Sequence, residues 1–230
     1  MEEISKSFKE NVIRFDRDLG VNRSCDVVSR DYLIGGRRAR LWVIDYGKDE
    51  TLERMGAFWL SLKPEDVKDL TEMQEFLDRF ITFSESNVST DPADIITSVL
   101  LGKTLLLVDG LSGGALIDAK NYPSRGVEEP TSGKVLRGSH DGFTEAVVPN
   151  MALLRRRIRD PHLTMEGHKV GTRSHTDAVL CYLDDKVNPV LLSEIRNKLN
   201  SITAKSLSMS QESVAEAIRP KQWYNPFPKV

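Results

Sequence analysis

The sequence contains little cysteine and no long apolar run. Its two cysteines, Cys25 and Cys181, lie far apart, which predicts reduced thiols and argues against a disulfide framework. The first residues are acidic and lack the apolar core of a secretory signal. No segment reaches the roughly 18 apolar residues of a membrane-spanning helix, and the nearest, residues 95–109, is interrupted by Gly102 and Lys103. We therefore expect these residues to lie in the cytoplasm, with any membrane span outside them.

An excess of positive charge is also absent. Thirty-two Lys and Arg face 34 Asp and Glu, for a formal net charge of −2. Because a nucleic-acid-binding domain normally carries a strong basic excess, this balance predicts no nucleic-acid partner. The charges are scattered and 40% of the residues are hydrophobic, which indicates a folded chain with a core and not a disordered one.

The residue patterns of enzymes and metal sites are missing. The four histidines show no HExxH or HxxxH spacing, and the adjacent Ser139, His140 and Asp141 do not form a triad, since triads are assembled in space. The glycine-rich segment 109–114 lacks both the phosphate-loop and the dinucleotide patterns, so we interpret it as a hairpin turn. The sequence predicts no catalysis, no cofactor and no metal.

The first half of the chain has the pattern of a mixed α/β unit. Apolar residues recur at helical spacing over residues 4–19, and Gly20 ends that helix. Asp91 and Pro92 are typical of a helix start. The remaining predicted elements are a hairpin over 26–46 with its turn at Gly35-Gly36, helices over 50–62 and 64–80, an extended stretch over 80–88, and strands over 104–109 and 115–119.

A composition break separates this unit from a second one. Residues 121–134 contain two Pro and two Gly without apolar periodicity, which indicates a linker or long loop. The fold class predicted is therefore α/β (mixed α+β), with two small subdomains in tandem, at 1–120 and 135–222. The predicted elements of the second are strands over 135–138, 164–171 and 176–182, helices over 143–159 and 189–199, and a last strand and short helix ending near residue 218.

The helix predicted at 143–159 carries the most conspicuous charge cluster. Its apolar residues Val147, Met151, Leu154 and Ile158 predict one buried stripe, so the arginines, Arg155, Arg156, Arg157 and Arg159, should cover the remaining faces. Three interpretations stay open: a solvated basic face that complements the helix C-terminus, a docking surface for carboxylates of another domain or subunit, and a contact with anionic lipid headgroups. Pro149 predicts a kink, or a helix start near Asn150.

The last eight residues form an aromatic and proline-rich segment. Trp223, Tyr224 and Phe227 lie among two prolines over residues 223–230. Such a segment packs back onto a domain as an irregular end, or lies in the headgroup region before a membrane span, where Trp and Tyr are enriched. Composition leaves both interpretations open.

The region from Tyr122 to Tyr182 resembles the GerA spore-germination family. The matching residues, in order, are Arg125, Glu128-Glu129-Pro130, Arg137-Gly138, Asp141-Gly142-Phe143, Glu145, Asn150, Leu154, Arg155-Arg156-Arg157, Gly171, Arg173, Thr176 and Tyr182. The resemblance is specific over the second half of the chain and general over the first.

This resemblance implies a cytosolic domain on the spore-core side of the spore inner membrane. It implies a protein that forms a homo-oligomeric, ion-conducting germination complex together with a second membrane subunit. It also implies that Trp223, Tyr224 and Phe227 precede transmembrane helices beyond Val230. Subunit or inter-domain contacts are then expected at Arg125, Glu128, Arg137, Phe143, Glu145, Asn150, Arg155, Arg156, Arg157 and Arg173.

Two other hypotheses remain beside this one. The charged residues could form a polar network that only fixes the second subdomain. The domain could instead be a small-molecule sensor that binds its ligand between the two subdomains, since ligands often settle at domain interfaces.

Overall fold

The computed structural model describes residues 3–45, 50–81, 85–119 and 142–202. The fold is of the mixed α/β class, as predicted, with a five-stranded and a two-stranded sheet in the described part of the chain. The chain divides into two compact units, Met1–Leu163 and Thr164–Val230. The predicted linker 121–134, the predicted strands at 135–138 and after 202, and the segment 223–230 lie outside the described residues.

The first unit is built on an antiparallel sheet. Its strands are β1 (Val27–Ile34), β2 (Arg37–Ile44), β3 (Ser86–Ser89), β4 (Thr104–Val108) and β5 (Gly114–Ile117), and its helices are α1 (Phe8–Leu19), α2 (Glu50–Ser61), α3 (Pro64–Val67), α4 (Met73–Phe80), α5 (Pro92–Leu100) and α6 (Val147–Arg157). The strand order is β1-β2-β4-β5-β3, and every pairing between these five strands is antiparallel.

Helices cover both faces of this sheet. The central strand β4 is buried along its whole length, and its side chains alternate between two cores, as the period of a strand requires. Leu106 lies in the core formed with α2, α3 and α4, around Trp59 and Phe76. Leu105 lies in the opposite core, around Phe15 and Trp42, to which α1, α5 and α6 contribute.

Local sequence signals account for several element boundaries. Asp91 caps α5 by accepting a hydrogen bond from the Ala93 N–H, and Pro92 occupies the first turn, as predicted. Gly20 ends α1 in the left-handed conformation, with φ of 75°. The β1–β2 turn has no room for a side chain at Gly35, because a Cβ there would lie only 2.4 Å from Val67 Cγ2.

Three predicted helices differ from the observed ones in extent. The first begins at Phe8 and not at residue 4, and the helix predicted over 64–80 is two short helices, α3 and α4. The helix predicted over 143–159 begins at Val147, so Pro149 lies in its first turn and causes no break. The reason is that the first N–H groups of a helix have no intrahelical acceptor, and a proline there removes no hydrogen bond.

The described part of the second unit contains a small buried apolar cluster. This part of the chain contains β6 (Leu163–Val170), β7 (Thr176–Leu183) and α7 (Pro189–Asn200), close to the predicted bounds. Val170, Leu199 and Ile202 are its buried cluster, with Ala178 and Ile195 packed against them. In the described part of this unit, side-chain hydrogen bonds between α7 and β6 add to this cluster.

Candidate interaction site

Most of the predicted contact residues that the structure describes lie on or just before α6. Phe143 and Glu145 precede the helix, and Asn150 and the three arginines 155–157 belong to it. Arg173 is exposed in the connection between β6 and β7, in the second unit. The others lie outside the described residues: Arg125, Glu128, Arg137, Trp223, Tyr224 and Phe227.

Arg155 is buried and ion-paired within the first unit. Its side chain and that of Asp26 are each 1% exposed, and Arg155 Nε lies 2.6 Å from Asp26 Oδ2. Arg155 Nη2 donates to Asp26 Oδ1 at 3.0 Å and to Ser24 Oγ at 3.3 Å. The hydroxyl of Ser24 in turn donates to Asp26 Oδ1. This bidentate geometry is the strong form of an arginine–carboxylate contact.

The same guanidinium holds the chain that follows α6. Arg155 Nη1 donates to the Asp160 carbonyl at 3.2 Å, and Nη2 donates to the Leu163 carbonyl at 2.9 Å. Arg155 therefore joins α6, the turn after it and the start of β1. The inward face of α6 consists of Met151, Ala152 and Arg155, so the prediction that all the arginines cover solvent-facing sides is wrong for Arg155.

The C-terminal end of α6 presents the remaining arginines. Arg156 and Arg157 are exposed, and Arg159 Nε donates to the Arg156 carbonyl at 3.1 Å. The sequence of α6 contains no acidic residue, and this end of the helix carries three consecutive arginines. It also lies at the negative end of the helix dipole, which stabilises cations there.

The N-terminal end of α6 is organised by Asn150. Its Oδ1 accepts from the Thr144 N–H at 2.6 Å, and its Nδ2 donates to the Thr144 carbonyl at 2.7 Å. The Thr144 hydroxyl accepts from the Ala146 N–H at 3.2 Å. Phe143, the residue before Thr144, is 64% exposed, and Val148 is 43% exposed. Asn150 therefore fixes the backbone just before α6, next to the exposed ring of Phe143.

A second charged cluster, in the second unit, was not singled out from the sequence. Arg196 Nε donates to both oxygens of Glu166 at 2.9 Å, and Arg196 Nη2 donates to Glu166 Oε2 at 2.6 Å. Tyr182 donates to the same oxygen at 3.2 Å. His168 Nε2 lies 3.0 Å from Glu166 Oε1, without the alignment of a hydrogen bond. These side chains connect β6, β7 and α7.

This cluster shifts the titration of its members. The hydrogen bond from Arg196 holds the pKa of Glu166 below its ordinary value, although burial opposes the shift. Burial raises the pKa of Tyr182, and the hydrogen bond to Glu166 raises it further. Tyr182 is one of the residues that carry the family resemblance described above. For Glu166 and His168, the only sequence signal was the alternation of side chains along β6, which places both residues on one face of the strand.

The described residues offer little for small-molecule or metal chemistry. A cavity near the start of α1, lined among others by Ile4, Lys6 and Gly110, has a volume of only about 20 Å³, far below the usual range for drug-sized ligands. Among the described residues, no three His, Cys, Asp or Glu side chains are grouped to hold a metal ion. No helix in that part of the chain is long and apolar enough to cross a membrane.

Comparison with known proteins decides the family. The family model described as Bacillus/Clostridium GerA spore germination protein matches residues 16–230. The chain belongs to the GerA spore germination family. The resemblance drawn from the sequence is thereby confirmed, and the match extends over the first half of the chain, where the sequence pattern was only general.

Curated GerA-family relatives are longer than this chain. It is 39% identical over 168 residues to stage V sporulation protein AF of Bacillus subtilis (strain 168), covering 73% of this chain and 33% of the relative. It is 30% identical over 161 residues to the uncharacterized membrane protein YfkQ of the same organism, covering 70% of this chain and 31% of the relative. The chain therefore spans about a third of the length of the curated relatives it matches.

A solved structure shares the fold. The crystal structure of the N-terminal domain of the A subunit of the Bacillus megaterium spore germinant receptor GerK3 superposes with a TM-score of 0.66 at 21% identity. The match covers 96% of this chain and 83% of that chain. At this level of identity the likeness establishes the fold alone.

Proposed function

We propose that this chain is the non-enzymatic N-terminal part of a spore inner-membrane germination protein and lies on the cytoplasmic face of that membrane. The observation that carries the proposal is the GerA family match over residues 16–230, and the shared fold with the N-terminal domain of a germinant receptor A subunit supports it. One curated relative is also named as a membrane protein.

The role proposed for this part is assembly and regulation of an oligomeric, ion-conducting germination complex. Its partners are further copies of the same protein and a second membrane subunit. The exposed arginines of α6, Arg156 and Arg157, support this role, because guanidinium groups bind carboxylates of another chain in a bidentate manner. Arg155 is not part of this exposed surface, because it is buried and binds Asp26 inside the first unit.

The membrane attachment is proposed to follow directly after this chain. Trp223, Tyr224 and Phe227 have the composition of an interfacial segment. In a GerA-family protein, transmembrane helices would then continue beyond Val230, while the two units stay in the cytosol.

Fractionation of dormant spores tests this proposal. An antibody raised against this chain should detect, in the inner-membrane fraction, a protein two to three times heavier than the 25.9 kDa of these residues. A soluble protein of 25.9 kDa would contradict the proposal. Protease treatment of sealed inside-out and right-side-out vesicles then reports the face, because only a cytosolic domain is degraded when the cytosolic side is exposed.

A further inference from the structure

Strand β1 forms one edge of the five-stranded sheet. Within the described part of the chain it pairs with β2 on one side and with no strand on the other. The register of β1 with β2 is continuous from Val27 to Ile34, without a bulge. Natural proteins commonly shorten, bend or cover an edge strand, because a long regular edge is a template for a further strand. The outer edge of β1 is therefore a candidate binding surface.

The backbone groups on the outer side of β1 follow from the hydrogen-bond pattern. The Asp45 N–H donates to the carbonyl of Asp26, the residue opposite it in the register, at 2.7 Å. Because hydrogen-bonded pairs alternate along an antiparallel ladder, the even-numbered residues of β1 bond to β2. The N–H and C=O groups of Ser29, Asp31 and Leu33 point away from β2, and they form no hydrogen bond with the described residues.

The side chains along this edge are exposed as well. Leu33 is 58% exposed and Val28 is 36% exposed, so an apolar side chain lies near each end of the strand. Arg30, at the centre, is exposed and has no ion pair or hydrogen bond with the described residues. The neighbouring Asp31 already binds Arg40 at 2.9 Å. The edge therefore offers outward backbone groups, two apolar side chains and one uncompensated cation.

We propose that the outer edge of β1 binds an extended segment of a protein chain of different sequence, which adds an antiparallel strand to the sheet. The segment carries a carboxylate opposite Arg30 and apolar side chains opposite Val28 and Leu33. In an antiparallel pairing, one apolar residue then lies three positions before the carboxylate and the other lies two positions after it. Backbone hydrogen bonds supply affinity in this mode of recognition, and alternate side chains supply specificity. This inference rests on the proposed function, and it names the surface that receives the second subunit.

A second copy of this chain fits the edge less well. A symmetric antiparallel pair of β1 strands has one residue opposite the same residue of the other copy at its centre. With Arg30 or Asp31 at that centre, like charges lie directly opposite each other, which is destabilising. Arg30 cannot meet Asp31 of the other copy instead, because facing residues lie on one side of a sheet and these two project to opposite sides. The charge pattern therefore favours a chain of different sequence.

A membrane surface also fits the edge less well. The outward N–H and C=O groups of β1 need hydrogen-bond partners, and lipid acyl chains supply none. An extended peptide supplies backbone partners for these groups and a carboxylate for Arg30. A protein segment therefore satisfies more of the edge than lipid does.

Photo-crosslinking in the full-length protein tests the edge. The photoreactive p-benzoyl-phenylalanine replaces Leu33 in one strain and Leu60 in a control strain. Leu60 is similarly exposed, at 60%, but it lies on α2, which packs on the other face of the sheet from Leu33. Irradiation of intact membranes should link position 33 to a protein of different sequence, in about tenfold excess over position 60.

Mass spectrometry of the adduct identifies the occupant. We expect a segment with a carboxylate and apolar residues at the stated spacing. Adducts only with a second copy, with this chain itself or with lipid would overturn the proposal, and so would equal yields at positions 33 and 60.

Proline on the outer side of β1 tests for backbone pairing. The Ser29 N–H points away from β2, so Ser29→Pro removes a donor from the edge without removing a bond to β2. Ser29→Ala is the matched control, because it also loses the hydroxyl that accepts from Arg40 Nη2 at 2.9 Å but keeps the N–H. With the crosslinker at position 33, Ser29→Pro should lower the adduct yield about fivefold relative to Ser29→Ala, the effect of one hydrogen bond. Equal yields would show that the backbone of β1 takes no part in binding.

Charge reversal at Arg30 tests the chemistry of the segment. Arg30→Glu places a carboxylate opposite the carboxylate of the partner, so the adduct yield at position 33 should fall about tenfold. Arg30→Lys keeps the cation and should retain most of the yield. An unchanged yield in Arg30→Glu would contradict an acidic partner.

The outcomes distinguish this inference from the proposed function. If the protein is in the inner membrane and its complex is recovered, but position 33 gives no adduct with another protein, the edge inference is wrong and the proposed function stands. If the protein is soluble, the proposed function fails, and the adduct at position 33 still decides whether the edge binds another chain. The abundance and trypsin fragment pattern of each variant show whether a loss reflects misfolding. If Ser29→Pro fails this check, the comparison of Arg30→Glu with Arg30→Lys decides.

Discussion

Arg155 and Asp26 are 129 positions apart in the sequence, yet they form a bidentate ion pair from which water is excluded. Their atoms approach to 2.6 Å, and each side chain is 1% exposed. The pair ties α6 to the start of β1, and α6 belongs to the first compact unit. The sequence-based boundary had assigned this helix to the second subdomain.

The first prediction concerns this ion pair. Asp26→Asn leaves the guanidinium of Arg155 buried without its counter-charge, and breaking one member of a buried pair costs about 3–5 kcal/mol of unfolding free energy. Urea unfolding of the chain measures the loss. Asp31→Asn is the matched control, because Asp31 pairs with Arg40 at 2.9 Å but its own side chain is 75% exposed. The control should lose less than about 1 kcal/mol. Equal losses in Asp26→Asn and Asp31→Asn would show that burial of the Arg155–Asp26 pair does not increase its contribution to the free energy of unfolding.

The second prediction concerns the exposed arginines of α6. Arg156→Glu reverses a charge on the proposed docking surface, so we expect the full-length complex to be lost from solubilised membranes while the unfolding temperature of the domain stays near that of the wild type. Arg54→Glu is the control, since Arg54 is an exposed arginine of another helix, α2. A complex that survives Arg156→Glu, or one that is lost equally in Arg54→Glu, would contradict a specific docking role.

The third prediction concerns pH and the second unit. The pKa of Glu166 is lowered from its ordinary value of 4.5, chiefly by the hydrogen bond from Arg196. A lowered pKa in the folded state stabilises the fold above the unfolded pKa, and that contribution is lost as the pH falls through the folded value. Glu166→Gln should therefore lower the unfolding temperature at pH 7, and its difference from the wild type should shrink below about pH 4.5.

Thermal unfolding across a pH series measures this effect. The control is Asp177→Asn, because Asp177 pairs with Lys169 at 2.7 Å while both side chains are 67% exposed, and exposed pairs contribute little. A constant difference between Glu166→Gln and the wild type from pH 7 to pH 3 would mean that the variant disturbs packing and not the charge of Glu166.

The parts of the fold that the sequence predicted are those that local signals determine. Asp91 and Pro92 begin α5 because a capping carboxylate and a proline act within one helical turn. The glycines of the segment 109–114 form the hairpin turn between β4 and β5, where Gly110 and Gly113 have positive φ. Neither feature depends on a distant residue, so one sequence was sufficient to predict it.

The buried face of α6 could not be predicted from the sequence, because it depends on a distant residue. Apolar spacing pointed to a stripe from Val147 to Ile158, but Ile158 follows the helix in an extended conformation and is 38% exposed. The position next to the core is taken by Arg155, and periodicity counts an arginine as solvent-facing. Only its partner Asp26, far away in the sequence, makes that position favourable, and no local pattern reveals such a pair.

The fourth prediction concerns Asp16, another residue whose role depends on a distant partner. Its Oδ1 accepts from the indole N–H of Trp42 at 2.8 Å, and its carboxylate also binds Arg40 Nη2 at 2.9 Å. Trp42 is completely buried, so Asp16→Ala leaves a buried donor unsatisfied, at a cost of about 1–3 kcal/mol. Asp16→Asn keeps an acceptor for the indole and should cost less, because only the charge opposite Arg40 is lost. Urea unfolding followed by tryptophan fluorescence ranks the two variants, and equal losses would show that the charge on Asp16, and not its hydrogen bond to Trp42, holds α1 against β2.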